Sequence, residues 1–140
     1  MRTIEDVERF LRSGSIPFQD LGDGMFVVGD EASGLRNLAI KVESPVVVFR
    51  LRVMDVPEPG APGREALFER LLKINGTGLL HSAFCLYPDG IFLTAALPLD
   101  NLDANELQAV VDDIGMAASQ HLPAVLSGPV GSGNGAAGRE

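Results

Sequence analysis

The chain has 140 residues, a length that fits one domain with a single core. Its 11 Lys and Arg residues against 19 Asp and Glu give a net charge of −8, which argues against a surface built to neutralise nucleic-acid phosphates. Its apolar runs are far shorter than the roughly 18 residues of a membrane-spanning helix, so we expect no membrane insertion.

The N-terminal sequence and the cysteine content predict a cytoplasmic protein. Glu5, Asp6 and Glu8 occupy the stretch where a signal peptide would be apolar. Cys85 is the single cysteine, so the chain can form no intramolecular disulfide and no cysteine-type zinc site.

Residues 3–12 predict the first helix, because large apolar side chains recur there at helical spacing: Ile4, Val7, Phe10 and Leu11. Thr3 is expected to be the N-cap, with Asp6 three residues later in a capping box. Gly14 is expected to end this helix in the left-handed conformation.

Short extended runs separated by turn residues follow the first helix. Asp23–Gly24 predicts a hairpin turn before the run Met25–Val28. Leu38–Glu43 and Val46–Val53 both alternate in side-chain character and are expected to pair across Ser44–Pro45. This region therefore holds three or four strands.

Residues 55–63 contain three prolines and two glycines, which predicts an exposed loop. A second helix is expected to open near Pro62 and to close at Asn75–Gly76. Its apolar stripe is broad and consists of Leu67, Phe68, Leu71, Leu72 and Ile74.

Pro88–Gly90 predicts a turn between the strands Leu79–Tyr87 and Ile91–Leu97. The element order is then α-β-β-β-α-β-β-α, counted with three strands in the first group. This order indicates an α+β domain with a mostly antiparallel sheet that is covered on one face.

The last helix and the C-terminal segment complete the chain. Asp103 is expected to cap the helix, which ends near Leu122 because Pro123 disrupts it. Residues 127–140 contain five glycines and predict a disordered, Gly-rich tail. Residues 1–126 therefore form the single domain.

Few residues could support catalysis or metal binding: His81, Ser82, Cys85, Tyr87 and His121. On one strand, His81 and Cys85 would lie about 13 Å apart, too far to share a metal. Cys85 has apolar neighbours in sequence and is expected to be buried and inert. His121 lies on the apolar stripe of the last helix, where a hydrogen-bonded structural histidine is expected. We therefore expect no catalytic, cofactor or metal site.

Two further patterns have structural explanations. The acidic residues around the last helix are interpreted as caps and solvated charges rather than as metal ligands. The G-x-G-x-x-G string at 133–138 is followed by only two residues, so it lacks the helix that a dinucleotide fingerprint requires.

Apolar surface remains after these exclusions. The second helix and the last strand carry more apolar side chains than one sheet face requires, which favours self-association or partner binding. The candidate dimer or partner surface consists of Leu67, Phe68, Leu71, Leu72 and Phe92.

Three motifs between Arg64 and Ile114 carry a family resemblance: Leu71-Leu72-Lys73-Ile74-Asn75, Asp89-Gly90 and Leu97-Pro98-Leu99-Asp100-Asn101-Leu102-Asp103. With the element order, they resemble the bacterial type III secretion chaperone-like proteins, the CesT/Tir-chaperone and YbjN group. The resemblance implies a homodimeric, non-enzymatic protein whose hydrophobic patches hold an extended segment of a partner protein.

Two alternatives stay open at this point. The first is a regulatory or adaptor module that binds a folded partner protein through a flat dimer surface. The second is an enzyme, which would require a deep pocket with convergent polar groups around His81 or Tyr87.

Overall fold

The computed structural model describes residues 1–14, 17–30 and 35–126. Within these ranges it contains three helices and six strands, and the predicted α+β class is confirmed. In chain order the elements are α1 (Ile4–Arg12), β1 (Phe18–Gly22), β2 (Met25–Asp30), β3 (Leu35–Glu43), β4 (Val46–Met54), α2 (Arg64–Thr77), β5 (Ala83–Tyr87), β6 (Gly90–Pro98) and α3 (Ala104–Leu126).

Four strands precede α2, so the order written with three strands is one strand short. The weakest sequence signal in this region belongs to β1, whose side chains are mostly exposed. Because β1 lies at the edge of the sheet, it does not bury every second side chain, which is the pattern that identifies the inner strands.

The strands form one antiparallel sheet in the order β1-β2-β3-β4-β6-β5. The predicted hairpins are present, and at the first of them Asp23 and Gly24 both have positive φ, 54° and 78°. After α2 the chain returns so that β6 pairs with β4, which leaves β1 and β5 as the two edges.

Helices cover one face of the sheet, as predicted. Alternate strand side chains are buried on this face, among them Phe26, Leu38, Ile40, Val47, Phe49, Leu51, Ile91 and Leu93. Val7 and Leu11 of α1, and Leu107, Val111 and Ile114 of α3, complete the core. The other face carries Lys41, Arg50 and Arg52 and has no second layer within the described residues.

The capping box predicted for α1 is present, with Thr3 and Asp6 bonded to each other in both directions. The C-terminal end differs from the prediction. Ser13 is the C-cap in the right-handed conformation, and the Gly14 N–H donates to the carbonyl of Leu11, so Gly14 is not a left-handed cap.

Asp103 and Glu106 form the predicted cap of α3, with the Glu106 N–H donating to Asp103 Oδ1 at 2.7 Å. The helix does not end near Leu122 as predicted; it continues through Pro123 for a further turn, to Leu126. Proline costs one backbone hydrogen bond there, and the burial of Val125 in the added turn offsets the loss.

The predicted tail lies outside the described residues. Within those residues, no helix combines the length and the apolar composition that crossing a bilayer requires.

The strand β5 begins at Ala83, four residues later than the predicted Leu79. The preceding residues are held by α3 instead of by the sheet. The carboxylate oxygen Oδ2 of Asp113 accepts from the His81 N–H at 3.1 Å and from the Ser82 hydroxyl at 3.0 Å. The His81 N–H is therefore bonded to α3 and not to a neighbouring strand.

Candidate functional site

The helix α2 is joined to the edge strand β5 through the side chain of Asn75. Its Nδ2 donates to the carbonyl of Phe84 at 3.1 Å, and its Oδ1 accepts from the Phe84 N–H at 2.7 Å. The sequence predicted that this helix ends at Asn75–Gly76. In the structure it continues to Thr77, with Gly78 as its C-cap.

A shallow apolar depression of about 180 Å³, called here the α2–β5 groove, lies between this helix and this strand. The side chains that form it are mainly Phe68, Leu71, Leu72, Phe84, Leu86 and Ile91. Leu72 is 69% exposed. The guanidinium of Arg64 lies over the Phe68 ring at 4.7 Å from its centroid. The groove is thus an apolar surface on the described chain, with one cation at its margin.

The five residues predicted for a dimer or partner surface do not form one surface. Leu67 is fully buried and Leu71 nearly so, and both belong to the core, although Leu71 also reaches the α2–β5 groove. Phe68 and Leu72 face the groove. Phe92 lies on the opposite face of the sheet, where its ring packs edge-on against Tyr87 with centroids 5.2 Å apart.

Two leucines that follow α2 in the chain are exposed, and the sequence did not predict them as surface residues. Leu80 is 87% exposed in the connection between α2 and β5, and Leu86 is 56% exposed on β5. Both fall inside the run that was predicted as one strand. The adjacent pair Leu79–Leu80 could have indicated an exposed leucine, because neighbouring side chains of a strand point to opposite faces of the sheet and cannot both be buried on the same face.

The other edge of the sheet, β1, exposes most of its side chains. The carbonyl of Pro17 accepts from the Gly29 N–H at 3.0 Å, so residue 17 faces β2. By the alternation of an antiparallel pair, the backbone groups of Phe18 and Asp20 then point away from the sheet. Leu21, 59% exposed, adds an apolar side chain to this edge.

Two of the candidate catalytic residues, His81 and Ser82, take part in structural contacts. Ser82 donates to Asp113, and His81 reaches the same carboxylate through its backbone N–H. Among the described residues, no group of three or more His, Cys, Asp or Glu side chains is placed to hold a metal ion.

Cys85 and His121 differ from their predictions. Cys85 is half-buried rather than buried, because β5 is an edge strand and its Sγ lies on the uncovered face, 3.0 Å from Thr94 Oγ1. Nε2 of His121 is buried without a hydrogen-bond partner, so this histidine is not satisfied as expected. Its ring packs closely against Gly78, where an added Cβ would lie 3.1 Å from Nε2.

The pKa is lowered for two carboxylates of the described residues, Glu69, which bonds to Lys73, and Asp6, which belongs to the cap of α1. The backbone N–H of Thr3 donates to Asp6 Oδ2 at 2.9 Å, and the guanidinium of Arg9 donates to Oδ1 at 2.9 Å. The Thr3 hydrogen bond, followed by the Arg9 contacts, lowers the pKa of Asp6 below its ordinary value. The role of this carboxylate is therefore structural: it stabilises the start of α1.

Comparisons with known proteins agree with this architecture. The structure resembles a chain in "Structure of the heterodimeric complex ExoU-SpcU from the type III secretion system (T3SS) of Pseudomonas aeruginosa", with a TM-score of 0.52 and 16% sequence identity, over 80% of this chain and 84% of that one. At this identity the likeness concerns the fold. No curated protein sequence matches the chain significantly.

The sequence itself matches the family model CesT_Tir_1 over residues 1–128. The match includes α1 and the first four strands, where the sequence resemblance had rested on element order alone. The resemblance to the CesT/Tir-chaperone proteins is confirmed, and the chain belongs to the CesT_Tir_1 family of CesT-like chaperones.

Proposed function

We propose that this protein is a cytoplasmic type III secretion chaperone that forms a homodimer and binds an extended segment of an effector protein, without catalytic activity. The observation that carries the proposal is the family match over residues 1–128. Its support in the fold is a pair of sheet edges, β1 and β5, that differ in what they offer to a partner.

The α2–β5 groove is the proposed contact between the two subunits. Leu72 and Leu86 line it and are largely exposed, and an isologous contact would cover them in both subunits at once. Because Asn75 already pairs with the backbone of Phe84, this edge has little room for an added strand. The contact therefore relies on side-chain packing.

The β1 edge is the proposed site for the extended segment. The outward backbone groups of Phe18 and Asp20 provide hydrogen-bond partners for an added strand. Ile4 and Leu21 lie beside this edge, since Ile4 Cδ1 would be 3.2 Å from a Cβ placed on Gly24 in the β1–β2 turn. An incoming segment can thus pair its backbone and bury alternate apolar side chains.

The absence of catalysis is proposed from the way Ser82 and His81 are held. A nucleophilic serine needs a neighbouring base that takes its proton. Here the Ser82 hydroxyl donates to the carboxylate of Asp113, and a carboxylate is a much weaker base than an imidazole; His81 offers its backbone N–H to the same oxygen. This arrangement anchors the chain that leads into β5.

The test begins with the protein that co-purifies with this chain from its native host, identified by mass spectrometry. Its bound segment is then mapped in the recombinant complex by protease protection and by hydrogen exchange. We expect protection of a stretch that is protease-sensitive in the free partner, together with slowed exchange at Phe18 and Asp20. A partner that binds as a folded domain and leaves β1 unprotected would instead indicate an adaptor.

Asp20→Pro makes this test specific to the edge. The substitution removes an N–H that faces away from β2, so the ladder between β1 and β2 is retained while an added strand loses a donor. We expect affinity for the partner segment to fall at least tenfold. Asp20→Ala is the matched control, because both variants lose the hydrogen bond from Gly22 N–H to the Asp20 side chain but only one loses the outward donor.

A further inference from the structure

Arg70 differs from the other arginines in the described residues. Each of them has a hydrogen-bond acceptor, an ion pair or an aromatic ring as a partner, whereas Nε and Nη2 of Arg70 are buried and have none. Guanidinium N–H groups that are removed from water without an acceptor cost free energy. This cost suggests that an acceptor is missing from the isolated chain.

Arg70 lines a second groove, between α2 and α3, on the flank of α2 away from the α2–β5 groove. This α2–α3 groove encloses about 420 Å³, and Arg70, Lys73, Ile74, Gly78 and His121 line it. The buried, unpaired Nε2 of His121 belongs to the same groove. Two helices thus contribute three buried nitrogen atoms without partners to one depression.

The chemistry of these nitrogens defines the missing group. Nε and Nη2 form one edge of the guanidinium, and two parallel N–H donors on one edge match the two oxygens of a carboxylate. Lys73 is paired with Glu69 at 2.9 Å, so Arg70 supplies the uncompensated positive charge in the groove. The net charge of −8 disfavours polyanions and anionic membranes, and thus favours a single acidic side chain on a protein segment.

We propose that the α2–α3 groove is an anchor for one acidic side chain of the bound protein segment, held in bidentate fashion by Arg70, with His121 Nε2 as an additional donor. The inference rests on the proposed function, because that function supplies the segment. Both Arg70 nitrogens are shielded in the free chain, so binding requires the flexible Arg70 side chain to rotate into the groove. Ile74 then packs against the apolar part of the neighbouring residue.

The experiment uses the full chain, labelled with ¹⁵N, and follows the side-chain Nε–H resonance of Arg70 by NMR. Its assignment comes from Arg70→Lys, in which this resonance disappears. The probes are the capped dipeptide acetyl-Glu-Leu-amide, its neutral counterpart acetyl-Gln-Leu-amide, and inorganic phosphate. We expect a saturable shift with the glutamate dipeptide and at least a tenfold weaker response to the glutamine dipeptide.

Variants separate the bidentate contact from general charge. Arg70→Lys keeps the charge but loses the paired donors, so we expect at least a tenfold loss of affinity for the glutamate dipeptide, followed in the variants by the backbone N–H resonances of residues that line the groove. Arg70→Gln, which removes the charge as well, should lose at least as much affinity, whereas Arg9→Gln removes one positive charge at a remote site and should change affinity less than twofold. Circular dichroism of each variant verifies folding, and the titration of the unaltered protein does not depend on the variants.

Two outcomes would overturn the anchor. One is an Arg70 resonance that stays unchanged through the glutamate titration. The other is a stronger response to phosphate than to the glutamate dipeptide, which would assign the groove to small anions. Neither outcome bears on binding at the β1 edge, which the Asp20→Pro variant tests separately.

Discussion

The side-chain amide of Asn75 is bonded to both backbone groups of Phe84, at 2.7 and 3.1 Å, and so replaces a neighbouring strand at this point of the sheet edge. An exposed edge strand invites pairing with other chains unless something blocks it. Here Asn75 of α2 blocks β5 at Phe84, the second residue of the strand. In β1, by contrast, the backbone groups of Phe18 and Asp20 point away from the sheet. The two edges are therefore suited to different partners.

Replacing Asn75 with alanine should destabilise the protein by about 1–2 kcal/mol, because it removes both hydrogen bonds from a half-buried pair of backbone groups. Urea unfolding followed by circular dichroism measures the change. Asn105→Ala is the control, since this asparagine is exposed near the start of α3, and should change stability by less than about 0.5 kcal/mol. Equal stability of the two variants would contradict the role given to Asn75.

Leu72→Glu should convert the proposed homodimer into a folded monomer. Leu72 is 69% exposed in the single chain, so a charge there does not disturb the core. Across an isologous contact the charge would meet its own copy in a desolvated region, at a cost of several kcal/mol. Light scattering and circular dichroism, measured together, report mass and fold.

Two variants serve as controls for this dimer test. Met116→Glu changes an exposed apolar residue of α3, 59% exposed and outside the α2–β5 groove, and should leave the dimer intact. Leu67→Glu should unfold the chain, because Leu67 is fully buried. A wild-type mass near 14.8 kDa at tens of micromolar would rule out the dimer, and a dimeric Leu72→Glu would move it to another surface.

The thiol of Cys85 should react with a thiol reagent without prior unfolding, but more slowly than in the urea-unfolded chain. It is half-buried, and its Sγ is 3.0 Å from the hydroxyl of Thr94, so access is restricted rather than closed. The labelling rate as a function of urea measures this. A rate that appears only with global unfolding would show that the thiol is closed off after all.

Asp6→Asn should reduce stability at neutral pH, and the difference from wild type should disappear in acid. The pKa of Asp6 is lowered in the folded state, first by the Thr3 backbone hydrogen bond and then by Arg9. A lowered pKa contributes stability above the ordinary pKa of the carboxyl, and this contribution is lost as pH falls through the folded-state value. Thermal unfolding between pH 2 and pH 7 measures the difference.

Glu5→Gln is the control for this pH dependence. It removes a negative charge from the same first turn of α1 but leaves the capping box in place. Its stability should follow the wild-type pH profile more closely than that of Asp6→Asn does. Identical profiles for the two variants would assign the effect to the helix dipole rather than to the cap.

Local signals in the sequence predicted most elements and left the number of strands before α2 at three or four, where the structure has four. Side-chain alternation identified β3 and β4, because their buried faces require an apolar residue at every second position, and the turn at Pro88–Gly90 identified β6. The strand β1 has no such requirement at the sheet edge. The end of α3 was misplaced because the burial of Val125, a long-range contact, outweighs the local cost of Pro123.

The sequence by itself determined the α+β class, the hairpins, the N-caps of α1 and α3 and the family, since each depends on residues close together in the chain. The tertiary structure alone decided which apolar residues remain at the surface. Leu67 and Phe68 are neighbours on one helix, yet one is fully buried and the other faces the α2–β5 groove. Likewise, only the packing of α2 on α3 places Arg70 and His121 in one groove. Hydrophobic burial determines how the two helices pack, and the positions of their polar side chains follow from that packing.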